Sequence, residues 1–91
     1  MASIERSSRD LQAGRLLKEW RLDRGLSPDA LSWEIRKLKL ETVSGRQIRR
    51  IEDEGVIPTP RVMFALASFY EAKPTEIWRR ALKPRRMAVA A

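Results

Sequence analysis

Three arginines and a glutamine crowd into Arg46-Gln47-Ile48-Arg49-Arg50, and side chains of these types donate hydrogen bonds to base edges and phosphates. A planar guanidinium bonds O6 and N7 of guanine together, and a glutamine amide pairs with adenine. Stepping about 100° per residue from Ile48 puts Ile51 at roughly 300°, so the buried direction lies near about 330°. On the same wheel Arg46 falls at roughly 160°, Arg50 at roughly 200°, Asp53 at roughly 140° and Arg49, on the flank, at roughly 100°. One side is anchored by two isoleucines and the other is mostly arginine. Gly45 precedes them, and a residue without a Cβ permits close backbone approach. Arg46 and Arg50, with Arg49 on the flank, are therefore the candidates for contact with bases.

Such a face is useful only on a helix whose start is fixed. Ser44-Gly45-Arg46-Gln47 has the spacing of a capping box, in which the Ser44 hydroxyl and the Gln47 amide each satisfy a backbone N–H of the other residue. This third helix should end near Glu54, with Gly55 as its stop. The first helix is expected from Arg9 or Asp10 to Arg24, with Leu17, Trp20, Arg21 and Arg24 on one side and Gly25 after it. The second begins with Ser27 as N-cap and Pro28 at the first helical position, and Leu31, Ile35 and Leu38 form its buried stripe. Thr59 and Pro60 open a fourth helix reaching about Ala72. Lys73-Pro74-Thr75 starts a short fifth one carrying Ile77, Trp78, Ala81 and Leu82. No run has the β-branched alternation of a strand, so the expectation is an all-α domain over residues 10–82. Residues 1–9 are expected to form a flexible arm and 83–91 a basic mobile tail.

Composition bounds the chemistry. The 91 residues carry 43% hydrophobic and 34% charged side chains, enough for one small core. There is no cysteine and no histidine, which excludes disulfides, thiolate and imidazole metal sites and every nucleophile that relies on either residue. Glu52, Asp53 and Glu54 are consecutive and fan around a helix, and the four glycines match no phosphate loop, so neither an enzyme nor a cofactor or metal site is expected. The formal charge is +7. Residues 33–50 hold six bases and two acids, 79–91 five bases and no acid, whereas 51–78 hold two bases and five acids. Clustered charge of this kind favours a polyanionic partner. The longest uncharged run near the middle, Val62 to Tyr70, is far short of the roughly 20 residues that span a bilayer. The first fourteen residues have no apolar core, so a cytoplasmic, nucleoid-associated location is expected, with no membrane or small-molecule partner.

The order of these elements resembles the helix-turn-helix family of the lambda-repressor and Cro type, the XRE family. The likeness covers about residues 14–78. It rests on Leu17 to Arg21, on Gly25-Leu26-Ser27 with Leu31-Ser32, on Val43-Ser44 with Ile48, Ile51 and Glu52, and on Pro60 with Leu66-Ala67 and Tyr70. The resemblance implies five helices around one core with the third in the major groove of double-stranded DNA. By matching position it places Gly45, Arg46 and Arg50 on bases, and Ser44, Gln47 and Arg61 on the DNA backbone. Ser27 joins the expected backbone contacts. Arg21 and Glu52 match the family's buried ion pair. Small stand-alone members are common in phages and mobile elements, so a Cro-like repressor acting by operator occupancy is implied.

Three departures change the picture locally. Pro28 stands where the family usually has glutamine, and proline has no donor for phosphate. About six extra residues lie between Ile35 and Val43, which should lengthen the second helix by one or two turns and bring Lys37 and Lys39 to flanking phosphates. Ser32 replaces a small alanine and is tolerable if its hydroxyl bonds back to a carbonyl.

Several apolar residues fall on outer faces. Trp33 and Leu40 lie opposite the buried stripe of the second helix, and Phe64 opposite that of the fourth. With Ile77, Trp78 and Leu82 they are candidates for an interface. A homodimer through the fifth helix, with Phe64 as a second candidate contact, is expected to set two recognition helices about 34 Å apart; a monomer would instead imply an asymmetric site or a modest affinity. The rival reading is an antitoxin-type protein-interaction module using Trp33, Leu40 and Phe64. RNA is disfavoured because the third helix has no aromatic stacking platform.

Overall fold

In a computed structural model of the protein, which describes residues 9–79 and Leu82, the first four helices each start at a side-chain oxygen. Asp10 accepts from the Ala13 N–H at 3.0 Å and opens α1, Leu11–Asp23. Ser27 accepts from Ala30 at 3.1 Å ahead of α2, Pro28–Lys37. Ser44 accepts from the Gln47 N–H at 3.1 Å ahead of α3, Gly45–Asp53, and the Gln47 side-chain carbonyl accepts from the Ser44 N–H at 3.3 Å. Thr59 accepts from Val62 at 3.4 Å ahead of α4, Pro60–Phe69. The last helix, α5, is one turn, Pro74–Ile77. The described residues contain no strand; an isolated antiparallel bridge joins Arg9 to Val56, and the Asp10 N–H donates to Gly55 O at 2.7 Å.

Helix α3 is the hub. Both α1 and α2 pack on it, α5 closes against α4 and α1, and α2 also touches α4. The centre is filled by Leu17, Leu31, Ile35, Val43, Ile48, Leu66 and Trp78. Helix α1 crosses α3 at Gly14, where a Cβ would lie 2.5 Å from Ile51 O and 2.6 Å from Glu52 O. Only hydrogen fits there. Across the same contact the Arg21 Nε and Nη2 atoms donate to both Glu52 oxygens at 2.9–3.2 Å, and Arg21 Nη1 donates to Leu26 O at 2.7 Å. The Glu52 hydrogen bonds raise the Arg21 pKa further above its ordinary value. A buried pair so fully bonded ties the end of α1 to α3, and losing either partner would leave an unpaired buried charge.

Two helix ends fall short of the sequence expectation for one reason. Helix α2 stops at Lys37, where Leu40 N donates back to Ile35 O and Lys39 N to Arg36 O, and Lys39 adopts φ 56°. This is a left-handed cap built without glycine. Most of the extra residues therefore form the connection to α3 instead of further helical turns. Leu38, expected in the buried stripe, is the cap residue and 56% exposed. Glu71, at φ 56°, ends α4 in the same way, with Ala72 N donating to Ala67 O and Glu71 N to Ser68 O.

Candidate nucleic-acid interface

The wheel drawn from the sequence holds for the side chains it was drawn for. Ile48 and Ile51 are buried, whereas Arg46, Gln47, Arg49 and Arg50 are exposed on the other side of α3. Among the described residues no hydrogen bond or ion pair engages Arg46 or Arg49. Arg50 is held more closely: its Nε donates to Glu54 Oε1 at 3.4 Å, one turn on, so any partner of Arg50 must compete with that carboxylate. The capping box occupies the Gln47 carbonyl and leaves its NH2 group facing solvent as a donor. Ser44 is exposed and its hydroxyl hydrogen is likewise uncommitted to the cap.

The acids that follow these donors are each matched by a base. Glu52 is buried with Arg21, Asp53 meets Lys18 at 3.3 Å and Glu54 meets Arg50. Positive charge is left at the N-terminal half of α3, the end whose free N–H groups already favour an anion.

Gly45 does not join the exposed donors. It is buried against α2, and a Cβ there would collide with the Asp29 carboxylate and approach Asp29 Cα at 3.3 Å. The close approach that its missing side chain permits is made by the chain itself, which removes Gly45 from the candidates for base contact. Ser32, half-buried, donates its hydroxyl to Val43 O across the gap between α2 and α3, instead of back to its own helix. With Asp29 it fixes how the start of α3 sits on α2.

The expected backbone contacts are spread around that entrance. Lys37 and Lys39 are exposed in the α2–α3 connection, with Lys37 Nζ 3.6 Å from Glu34 Oε2. Ser27 caps α2, and Arg61 is exposed in the first turn of α4. Arg61 also borders an open groove with Leu40, Glu41, Pro60 and Phe64.

The expected interface set divides. Trp33 is 57% exposed and Phe64 62%, and Leu82 is exposed; Leu40 is half-buried and packs partly on the core. Ile77 and Trp78 are buried in the core, Trp78 completely, because the single turn of α5 tucks both beneath α4 and α1. A dimer cannot use them. The tail bases at 80, 83, 85 and 86, and Ala81, lie outside the described residues.

Comparison with protein-family models, curated proteins and solved structures finds no match.

Sequence reasoning missed several contacts. Arg24 stacks over the rings of Phe69 and Tyr70 at 5.5 and 5.1 Å from their centroids. Asp29 packs on Gly45, and Gly14 is the crossing point of α1 and α3. Partners so far apart along the chain leave no periodic trace. The Arg50–Glu54 pair did have a signal, opposite charges spaced i, i+4 on a helix.

Proposed function

We propose that the protein is a sequence-specific double-stranded DNA-binding regulator. The N-terminal half of α3 enters the major groove, and the protein represses by occupying its operator. One observation carries this reading: Arg46 and Arg49 project from a helix whose opposite side is locked by Ile48 and Ile51, and nothing described in the chain engages them. Guanidinium groups held on a rigid element can read guanine, and the nearby Gln47 NH2, Ser44 hydroxyl and Arg61 suit phosphate. Two copies are proposed to bind together, with contact through the Phe64 groove instead of α5.

Selection of binding sites from random duplexes at a stated salt concentration tests the proposal, because it yields specificity and half-site spacing at once. Arg46→Ala and Arg50→Ala should each weaken binding to the selected site by about 1–3 kcal/mol and relax the preference at one base pair. Failure to enrich any sequence would sink the reading. So would an equal loss at every duplex. The exposed Trp33 and Phe64 favour the second reading, a protein-interaction module, which predicts that both arginine variants keep full function.

A further inference from the structure

We infer that α2 makes a second contact to the nucleic-acid backbone: Trp33 lays its indole on a sugar-phosphate strand beside the groove and Arg36 donates to a phosphate of that strand. The inference rests on the proposed DNA binding and adds two residues to it.

Its first support is placement. Asp29, Ser32, Trp33 and Arg36 are spaced i, i+3, i+4 and i+7, so they share one face of α2. Two contacts orient that face: Asp29 packs on Gly45, and the Ser32 hydroxyl donates to Val43 O, both at the entrance to α3. Leu31 and Ile35 are buried on the other side of the helix. Trp33 and Arg36 therefore point outward beside the end of α3 that would enter the groove. In the inferred arrangement the flanking strand of a duplex seated on Arg46 and Arg49 runs past them.

The second support is chemistry. Arg36 and Lys39 are exposed and have no ion-pair partner among the described residues, while Lys37 is only loosely held by Glu34. The one acid on the stripe, Asp29, is exposed beside Gly45, about two turns from Arg36, and is outnumbered by the three bases. An apolar protein surface covering Trp33 would have to strip water from three adjacent cations and offer nothing in return, whereas a phosphate strand neutralises them. An indole suits such a strand because it has a flat apolar face and a single N–H donor.

The test is acrylamide quenching of tryptophan fluorescence in the full chain, free and bound to two duplexes of equal length, one carrying the selected site and one random. Trp78 is fully buried and Trp20 half-buried, so the signal that Trp33→Phe removes reports the exposed indole. Both Trp33 and Arg36 are exposed, so Trp33→Phe and Arg36→Ala should keep the wild-type thermal midpoint. Expected are loss of most acrylamide access at Trp33 on either duplex, and an Arg36→Ala variant that weakens binding to both duplexes by the same factor. The salt slope of Arg36→Ala should be shallower by about one. If Arg46→Ala relaxes the preference at one base pair while Trp33 stays open and the Arg36→Ala slope is unchanged, the α2 contact is refuted and the groove reading stands. Shielding of Trp33 with an unchanged slope also refutes it, and assigns the face to another protein chain. Absence of binding to either duplex refutes both readings.

Discussion

Tyr70 packs its ring 5.3 Å from that of Trp20 and 5.0 Å from that of Phe69, with the Arg24 guanidinium over its face. Its hydroxyl is buried and finds no hydrogen-bond partner among the described residues. Burial, and then the nearby Glu52 charge, push the phenol well above its ordinary value. The folded chain thus keeps this proton to a higher pH than the unfolded chain, whose tyrosine ionises near about 10. The stability linked to Tyr70 is complete below that pH and is lost as pH rises above it. Tyr70→Phe should leave stability at pH 7 unchanged or raise it by about 1 kcal/mol, since an unpaired hydroxyl is removed. It should also flatten the decline above about pH 10. Urea midpoints of both proteins at neutral and alkaline pH decide the matter, and parallel declines would refute it. At the same scale, the family resemblance puts Gly45 on bases, whereas its missing side chain serves the packing of α2 on α3.

At the scale of elements, α1 crosses at Gly14 the helix that carries the arginines. Gly14→Ala would drive a methyl group into two backbone carbonyls that no rotamer change can move. The helices must separate, at a cost of about 1–3 kcal/mol. Gly25, at φ +68°, has nothing within 4 Å of its would-be Cβ, so Gly25→Ala suffers backbone strain alone. The expected outcome for Gly14→Ala is native helix content by circular dichroism with a lowered denaturation midpoint, and an unchanged midpoint would overturn it. The starts of α2, α3 and α4 were legible in the sequence because each cap is written within four residues, whereas the Asp10 cap that starts α1 at Leu11 was not singled out. The ends at Lys39 and Glu71 were not, because left-handed caps normally advertise themselves by glycine. Here the pairing of Leu40 with Ile35, and of Ala72 with Ala67, imposes the turn on ordinary residues.

Over the whole molecule, the question is what closes the core. A single turn at Pro74–Ile77 delivers Ile77 and Trp78 inward, and Trp78 is the largest fully buried side chain. Trp78→Ala should cost about 3–5 kcal/mol, a large part of the about 5–15 kcal/mol that holds a domain together. Chemical denaturation measures that loss. If the variant instead keeps its stability and drops from two chains to one in solution, α5 is an interface after all. No helix among the described residues is long and apolar enough to cross a membrane.

Read alone, the chain determined its helical class, the first residues of α2, α3 and α4, and the outward set of Arg46, Arg49 and Arg50, while the family resemblance supplied the Arg21–Glu52 pair. Those features depend on neighbours within one or two turns, or on a buried charge that demands a partner. The tertiary structure decided the fate of Gly45, Leu38, Ile77 and Trp78, whose periodicity says only that they are apolar or small. Whether such a residue meets water or a neighbour depends on which distant segment comes to cover it, and that is a property of the assembled core.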